Sequence, residues 1–366
     1  TLDVLLHCMS KTMTTPLKSN AITEFAPALI AWQKKHGRHD LPWQNTRDPY
    51  KVWLSEIMLQ QTQVSTVLGY YARFLERFPD LGALARASQD EVLGLWSGLG
   101  YYSRARNLHL CAQLVVAEHG GVFPSSAELL AKLPGIGRST AGAIAAFCFS
   151  QRVPILDANV RRVLTRVVGF DGDLAVAKNE RALWEHAEAL LPVSDLAAAM
   201  PRYTQGMMDL GAGVCTPKTP QCLICPLMGV CVAQKEGAPE RYPVKTRKLV
   251  RRSESWWLLL LIRLDGAVWL ETRPSTGIWA GLQCAPIFPD RETAANAAAA
   301  IAPLASLREH AAFLHVLTHR DLHLHPLVME VDHECRPSET GRWFQATEWP
   351  QAGLPAPMRK ILEDLA

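Results

Sequence analysis

Four of the nine cysteines crowd into one stretch as Cys215, Cys222, Cys225 and Cys231, spaced C-x6-C-x2-C-x5-C, while the other five are scattered. This asymmetry favours a metal or cluster site in a reducing compartment over a disulfide framework. The spacing places four thiolates in one loop just after a helical stretch. Four Cys ligands suit a 4Fe-4S cluster. A four-cysteine zinc site is the alternative, although such sites usually pair two short C-x2-C knuckles and only one is present here. Unligated thiols are the third reading.

Upstream of that loop the chain reads as helical. From Pro49 to Phe78 apolar residues recur at three- and four-residue steps (Trp53, Ile57, Val64, Val67, Tyr71, Phe74, Phe78), which predicts a helix. The same spacing returns in 90–96, 104–118, 126–132, 139–149, 158–168, 179–191 and 196–210, with Gly- or Pro-bearing turns between. Residues 21–235 are therefore expected to form an all-α domain containing the cysteine loop, and residues 1–20 a disordered tail or tag remnant.

Between 236 and 254 the periodicity lapses and Arg241, Lys245, Arg247, Lys248, Arg251 and Arg252 accumulate, the pattern of a basic interdomain linker. Beyond it, strand-like runs at Trp256 to Arg263, Ala267 to Arg273 and Leu314 to Val331 flank an Ala-rich helical segment near Ala294 to Ala302. Residues 255–366 thus predict a mixed α+β domain. Two unlike domains suit 366 residues, since single cores stop growing before that size.

Composition narrows the function classes. Hydrophobic content of 48% and charged content of 20% argue for ordinary cores rather than disorder. A net charge of only +3 permits a nucleic-acid partner without demanding one. No apolar run reaches the roughly 18 to 20 residues of a membrane-spanning helix. The N-terminal residues lack the basic start and apolar core of a signal peptide, so a cytoplasmic location is expected.

Two short segments carry candidate chemistry. Leu133-Pro134-Gly135-Ile136-Gly137-Arg138-Ser139-Thr140 is a Gly-punctuated turn between helical stretches. Its glycines allow close backbone approach, and the N–H groups of the helix beginning near Ser139 attract phosphate oxygens. A plain tight turn is the competing reading. Downstream, Ile155-Leu156-Asp157-Ala158-Asn159-Val160-Arg161-Arg162 sets a lone carboxylate between an apolar stretch and a helix, where Asp157 also suits an N-cap.

The third segment is Trp53-Leu54-Ser55-Glu56-Ile57-Met58-Leu59-Gln60-Gln61-Thr62-Gln63, with one Glu inside an apolar helical run. Most helix glutamates are solvated. A buried one has a raised pKa and stays protonated near neutrality.

Together the hairpin, the Asp157 segment, the S-E-I-M-L-Q-Q-T-Q-V string and the cysteine spacing resemble the MutY-type adenine DNA glycosylases of the helix-hairpin-helix base-excision superfamily. The resemblance spans about residues 21–360. It implies a helix-hairpin-helix glycosylase domain with an iron–sulfur loop holding a mainly structural 4Fe-4S cluster. It also implies a double-stranded DNA substrate bearing adenine opposite 8-oxoguanine or guanine. By resemblance Glu56 protonates adenine at N7, and Asp157 stabilises or briefly captures the oxocarbenium-like sugar. Two carboxyl groups of opposite protonation flanking a glycosidic bond follow the logic of glycoside hydrolysis.

Related enzymes that also cut the backbone carry lysine at the position of Ser139, so base removal without efficient strand cleavage is expected. Asn159 belongs to the same catalytic segment. Gln61, Leu99 and Tyr101 match positions that wedge into the base stack, and Gly98-Leu99-Gly100-Tyr101-Tyr102 looks like an exposed tip. Ordinary packing at a helix turn is the competing reading for all three. Gly135, Gly137 and Arg138 would contact DNA, and Trp43 and Gln205 resemble adenine-pocket residues.

In the C-terminal part, Gly277 to Leu282 and Leu317-Thr318-His319 resemble the oxoguanine-sensing, Nudix-like domain of this family. The Glu-rich metal box of Nudix hydrolases is not found, so recognition rather than hydrolysis is expected. His315, His319, His323 and His325 lack Cys or acidic partners and read as solvated or packed rather than as metal ligands. Two departures stand out, Ala158 where the family mostly has Gly and Leu317-Thr318 where many members have Phe-Ser. The rival readings are an endonuclease III-like glycosylase and lyase, a non-catalytic helix-hairpin-helix DNA-binding protein, and a nucleotide hydrolase seated in the C-terminal domain.

Overall fold

Helical periodicity is realised as a series of short helices in the computed structural model, which describes residues 19–244, 246, 250–332, 335 and 337–365. They are α1 (Ser19–His36), α2 (Pro49–Leu59), α3 (Val64–Arg77), α4 (Leu81–Arg86), α5 (Gln89–Trp96), α6 (Ser103–His119), α7 (Ala127–Leu130), α8 (Arg138–Phe149), α9 (Ala158–Val168), α10 (Ala177–Ala189) and α11 (Leu196–Asp209). Several starts are set by caps. Asp80, Ser88, Ser126 and Asp157 accept first-turn N–H groups of α4, α5, α7 and α9.

The helix expected to run from Pro49 to Phe78 is instead two. Gln61 adopts a left-handed φ of 56°, which a right-handed helix cannot carry through. The cause lies outside the segment. Arg104 takes the carbonyls of Ile57, Met58 and Gln60 at 2.9, 2.9 and 2.7 Å, the acceptors a continuing helix would need.

From α11 the chain passes through a π-helical turn, Leu210–Val214, directly into Cys215. After the cysteine loop come α12 (Val232–Lys235) and a 3-10 turn, Pro239–Arg241. The front of the expected linker is packed rather than free, for Tyr242 is buried and Arg166 donates to Pro239 O at 2.8 Å. Its end, from Arg252, belongs to a strand. Lys245, Arg247 and Lys248, like residues 1–18, lie outside the described residues.

The C-terminal part holds β1 (Arg252–Arg263), β2 (Val268–Thr272), β3 (Gln283–Cys284), β4 (Ile287–Phe288), α13 (Arg291–Ile301), β5 (Leu307–Glu309), β6 (Phe313–Val316), β7 (Arg320–Val331), β8 (Gly341–Phe344) and α14 (Ala356–Leu365). The sheet runs β3-β2-β1-β7-β5, with β4 on β1, β6 on β7 and β8 on β2. β1 and β7 pair in parallel from Arg252↔Arg320 to Arg263↔Val331. The alternation of their residues buries Leu259, Leu261, Leu327 and Met329 against Ala294 and Ala298 of α13.

The chain forms two compact units, each of two segments: Thr1–Glu56 with Phe123–Lys248, and Ile57–Val122 with Leu249–Ala366. In the first, α9 is central, its Val160, Val163, Leu164 and Val167 packing with Phe25, Leu29, Leu183, Tyr203 and Met207. In the second, α3 to α6 enclose Phe74, Phe78 and Trp96. There Ser97 Oγ and Tyr102 OH donate to Leu354 O at 2.9 and 3.1 Å. Among the described residues no helix is long and apolar enough to cross a membrane.

Candidate active site

In the first unit, α2 presents Glu56 from within an apolar run. Trp53, Leu54 and Ser55 beside it are buried, and Glu56 is half-buried. Burial pushes its carboxyl up to about 8, and the negative charge of Asp157 adds to the shift. The group therefore holds a proton at neutral pH while keeping a face open to a substrate.

Asp157 is both an N-cap and a candidate catalytic carboxylate. Its Oδ1 accepts from the N–H groups of Asn159 and Val160 at 2.7 and 2.8 Å, opening α9, which leaves Oδ2 for chemistry. Burial raises this carboxyl too, but the bonds from Val160 and Asn159 and the charges of Arg162 and Arg161 oppose it. Glu56 has no such support, and Asp157 adds to its rise. The pair is thus built to hold one proton, on Glu56.

The Gly-punctuated turn sits where the sequence puts it. Gly135 has φ 74° and Gly137 stands at the N-cap of α8 without a side-chain cap, so first-turn N–H groups remain for an outside acceptor. Ser139 Oγ accepts the N–H of Leu156 at 2.9 Å, tying the turn to the residue before Asp157. Arg138 lies over the Trp184 ring, 3.9 Å from its centroid. It is thereby pre-oriented rather than free in solvent.

Two buried cations on α9, unremarked in the sequence, join this centre to the cysteine loop. Arg162 donates to Asn159 Oδ1 (2.8 Å), Gly211 O (2.6 Å) and Cys215 O (2.7 Å). One turn on, Arg166 donates to Cys215 Sγ (3.3 Å), Thr216 O (2.7 Å) and Pro217 O (3.1 Å). Their i, i+4 spacing was the available signal, but arginine is so rarely buried that surface placement is the default.

Cys215, Cys222, Cys225 and Cys231 line one apolar pocket with Val163, Val167, Leu210 and Leu227. Burial above all, with a smaller contribution from the other three cysteines, pushes the Cys225 thiol up to about 12. Four such groups become stable thiolates only beside strong positive charge. Among the described residues no three His, Cys, Asp or Glu side chains are grouped to hold a single metal ion. Four thiol donors on one pocket are a set that a thiolate-binding group fits.

Trp43 is buried. Gln205 Nε2 donates to Asp209 Oδ1 at 2.8 Å, and Arg38 Nε pairs with the same oxygen at 2.7 Å.

The remaining candidates belong to the second unit. Gln61 and Tyr101 are exposed, but Leu99 is buried at 6%. The expected exposed tip is thus only partly formed, because Arg104 draws the carbonyls of Leu99 and Gly100 inward. Leu317-Thr318-His319 turns the chain between β6 and β7, with Thr318 and His319 exposed. Thr318 Oγ1 is hydrogen-bonded to Tyr101 OH at 2.5 Å. His323 bonds Ser253 Oγ at 3.1 Å, and His325 stacks on Trp257 at 4.4 Å.

Residues 54–189 match the family model of the HhH-GPD superfamily base excision DNA repair proteins, and residues 257–364 match the NUDIX domain. The adenine DNA glycosylase of Buchnera aphidicola (subsp. Acyrthosiphon pisum) is 37% identical over 354 residues, covering 93% of this chain and 97% of that protein. The mouse adenine DNA glycosylase is 45% identical over 221 residues, 58% of this chain and 42% of its own length. Among solved structures, a thermostable thymine-DNA glycosylase superposes with a TM-score of 0.52 at 26% identity, covering 59% of this chain and 98% of that one.

Proposed function

The chain belongs to the adenine DNA glycosylase family, and from that premise we propose that it hydrolyses the N-glycosidic bond of adenine opposite 8-oxoguanine or guanine in duplex DNA. The observation that carries the reading is the split pair of carboxyl groups in the first unit, Glu56 protonated to about pH 8 and Asp157 capping α9 with one oxygen to spare.

Adenine is a poor leaving group until its ring is protonated. Glu56 delivers its proton to N7, and the C1′–N9 bond breaks with positive charge developing on the sugar. Asp157 meets that charge with its free oxygen, and water then adds at C1′. Glu56, left as a half-buried carboxylate, takes back the proton that the adding water releases. Ser139 has no amine for a Schiff base and is engaged by Leu156 N–H, so adenine leaves and the deoxyribose stays in an uncut strand. The turn at Gly135 and Gly137 and the cation Arg138 hold the phosphate backbone, while Trp43 and Gln205 bound the adenine pocket.

Cys215, Cys222, Cys225 and Cys231 would hold a 4Fe-4S cluster, which supplies a structural cross-link to the loop. Arg162 and Arg166 keep Cys215 and its neighbours in place from α9. Leu317, Thr318 and His319 present the exposed turn that reads the base opposite adenine.

Single-turnover adenine release from duplexes bearing A opposite 8-oxoguanine, G and C tests this. Release from the first two and not the third is expected. Intact adenine in all three would overturn the reading.

A further inference from the structure

Arg104 is buried to 8% exposure, yet it has no place in the chemistry above. Its Nη1 donates to Ile57 O (2.9 Å), Met58 O (2.9 Å) and Gln60 O (2.7 Å). Its Nη2 donates to Thr62 Oγ1 (3.2 Å), Leu99 O (3.2 Å) and Gly100 O (3.1 Å). Trp96 and Tyr101 flank the guanidinium, at 5.2 and 5.5 Å from their ring centroids. One planar fork thus spans the end of α2 with the turn after it and the loop before α6.

Both segments are bent into backbone that most residues avoid. Gln61 and Tyr101 hold φ values of 56° and 47°, and Gly98 has φ 99°. Non-glycine residues stay in that region only when their surroundings over-determine them, and they gather at ligand clamps. Gly98 is doubly constrained, since a Cβ there would lie 2.2 Å from Tyr70 OH, the hydroxyl that caps Ser97 O at 2.7 Å. The strained side chains, Gln61 and Tyr101, are the exposed ones.

We propose that Arg104 is a positioning residue that locks the Gln61 turn to the Leu99–Tyr101 loop, so that the two meet DNA as one preset wedge. The inference rests on the glycosylase reading for what the wedge does, and on the hydrogen bonds for its existence. Flipping a base requires something to occupy or press on the stack as the base leaves. Two loops ordered beforehand do this without losing conformational freedom at the moment of binding. Lysine keeps the charge but gathers its donors on a single atom and cannot serve both loops.

Arg104→Lys and Arg104→Met, made in the full-length, cluster-loaded protein, test the clamp by three readouts. Hydrogen exchange is expected to rise at residues 57–62 and 98–103 in both variants, with α8 and α9 as protected as in wild type. Fluorescence of 2-aminopurine beside the target adenine is expected to lose its flipping signal. Adenine release at saturating enzyme should fall by roughly ten- to a hundredfold, while the Kd for undamaged duplex stays within about twofold.

Unchanged exchange at both loops would overturn the clamp. Full rescue of flipping by lysine would also overturn it, leaving charge alone as the role. Loosened loops with normal flipping would sink the positioning claim. If the wild type releases no adenine, the glycosylase reading fails, whereas exchange and flipping, which need no bond cleavage, still decide the clamp.

Discussion

An acid with its pKa near 8 serves catalysis only on the acidic side of that value. Release of adenine at saturating enzyme should therefore be flat around neutrality and fall about tenfold per pH unit above the Glu56 pKa of about 8. On the acid side it should fall as Asp157 takes up a proton, above its ordinary range because burial raises it. Glu56→Gln, which donates no proton, should lose on the order of 10²- to 10⁴-fold and lose the alkaline limb. A variant within threefold of wild type would remove Glu56 from the mechanism.

The same shift weighs on stability. An unfolded Glu56 loses its proton near 4.5 and the folded one near 8, so the folded form binds the extra proton between those values. That contribution is complete below 4.5 and is lost as pH rises through about 8. The difference in unfolding free energy between Glu56→Gln and wild type should grow in favour of the variant from pH 5 to pH 8, at up to ~1 kcal/mol per pH unit, as denaturant melts at each pH would show. A pH-independent difference would contradict this. Glu56 was legible because a lone acid inside an apolar helical run is carried out of water by its own neighbours, a cost that a purely structural helix avoids. Arg104, Arg162 and Arg166 were not, because their role lies in carbonyls supplied by distant segments.

At the scale of elements, periodicity announced α2, α3 and α5 to α11, yet missed the break at Gln60 to Gln63. A break imposed by a side chain from α6 leaves no mark in the segment it breaks. α1 and α4, and α14 at the far end, were likewise not anticipated. Close approach of elements is equally silent in sequence. A Cβ on Gly211, in the π-helical turn before Cys215, would lie 2.7 Å from Asn159 Cβ, whereas one on Gly213 would meet nothing within 4 Å. Gly211→Ala should push back the start of α9, destabilise by ~1–3 kcal/mol and slow adenine release at least tenfold. Gly213→Ala serves as the matched control and should do neither. Equal behaviour of the two variants would mean that the turn does not set the position of Asn159.

At the scale of the whole molecule, the sequence suggests helices first and sheet second, and the fold class follows that order. The compact units do not, because α3 to α6 group with Leu249–Ala366. Side-chain bonds within that unit show why. Ser97 and Tyr102 donate to Leu354 O, Arg106 donates to Ala280 O at 2.5 Å, Arg359 Nε reaches Ser97 Oγ at 3.1 Å, and Tyr101 bonds Thr318. These are pairings over long sequence separation between residues that look unremarkable alone.

Deleting residues 255–366 should therefore do more than remove the turn proposed to read the opposite base. It strips partners from α5 and α6 and should lower stability by at least ~2 kcal/mol, since several buried or part-buried hydrogen bonds of about 1 kcal/mol each are lost. Exchange should quicken in 89–110 and stay unchanged in α9, whose packing partners lie in the other unit. Adenine release from 8-oxoguanine mispairs should fall further than release from guanine mispairs, because Thr318 and His319 go with the deletion. A truncated chain that melts with the full one and keeps its preference would show that α3 to α6 stand alone and that the exposed β6–β7 turn reads nothing.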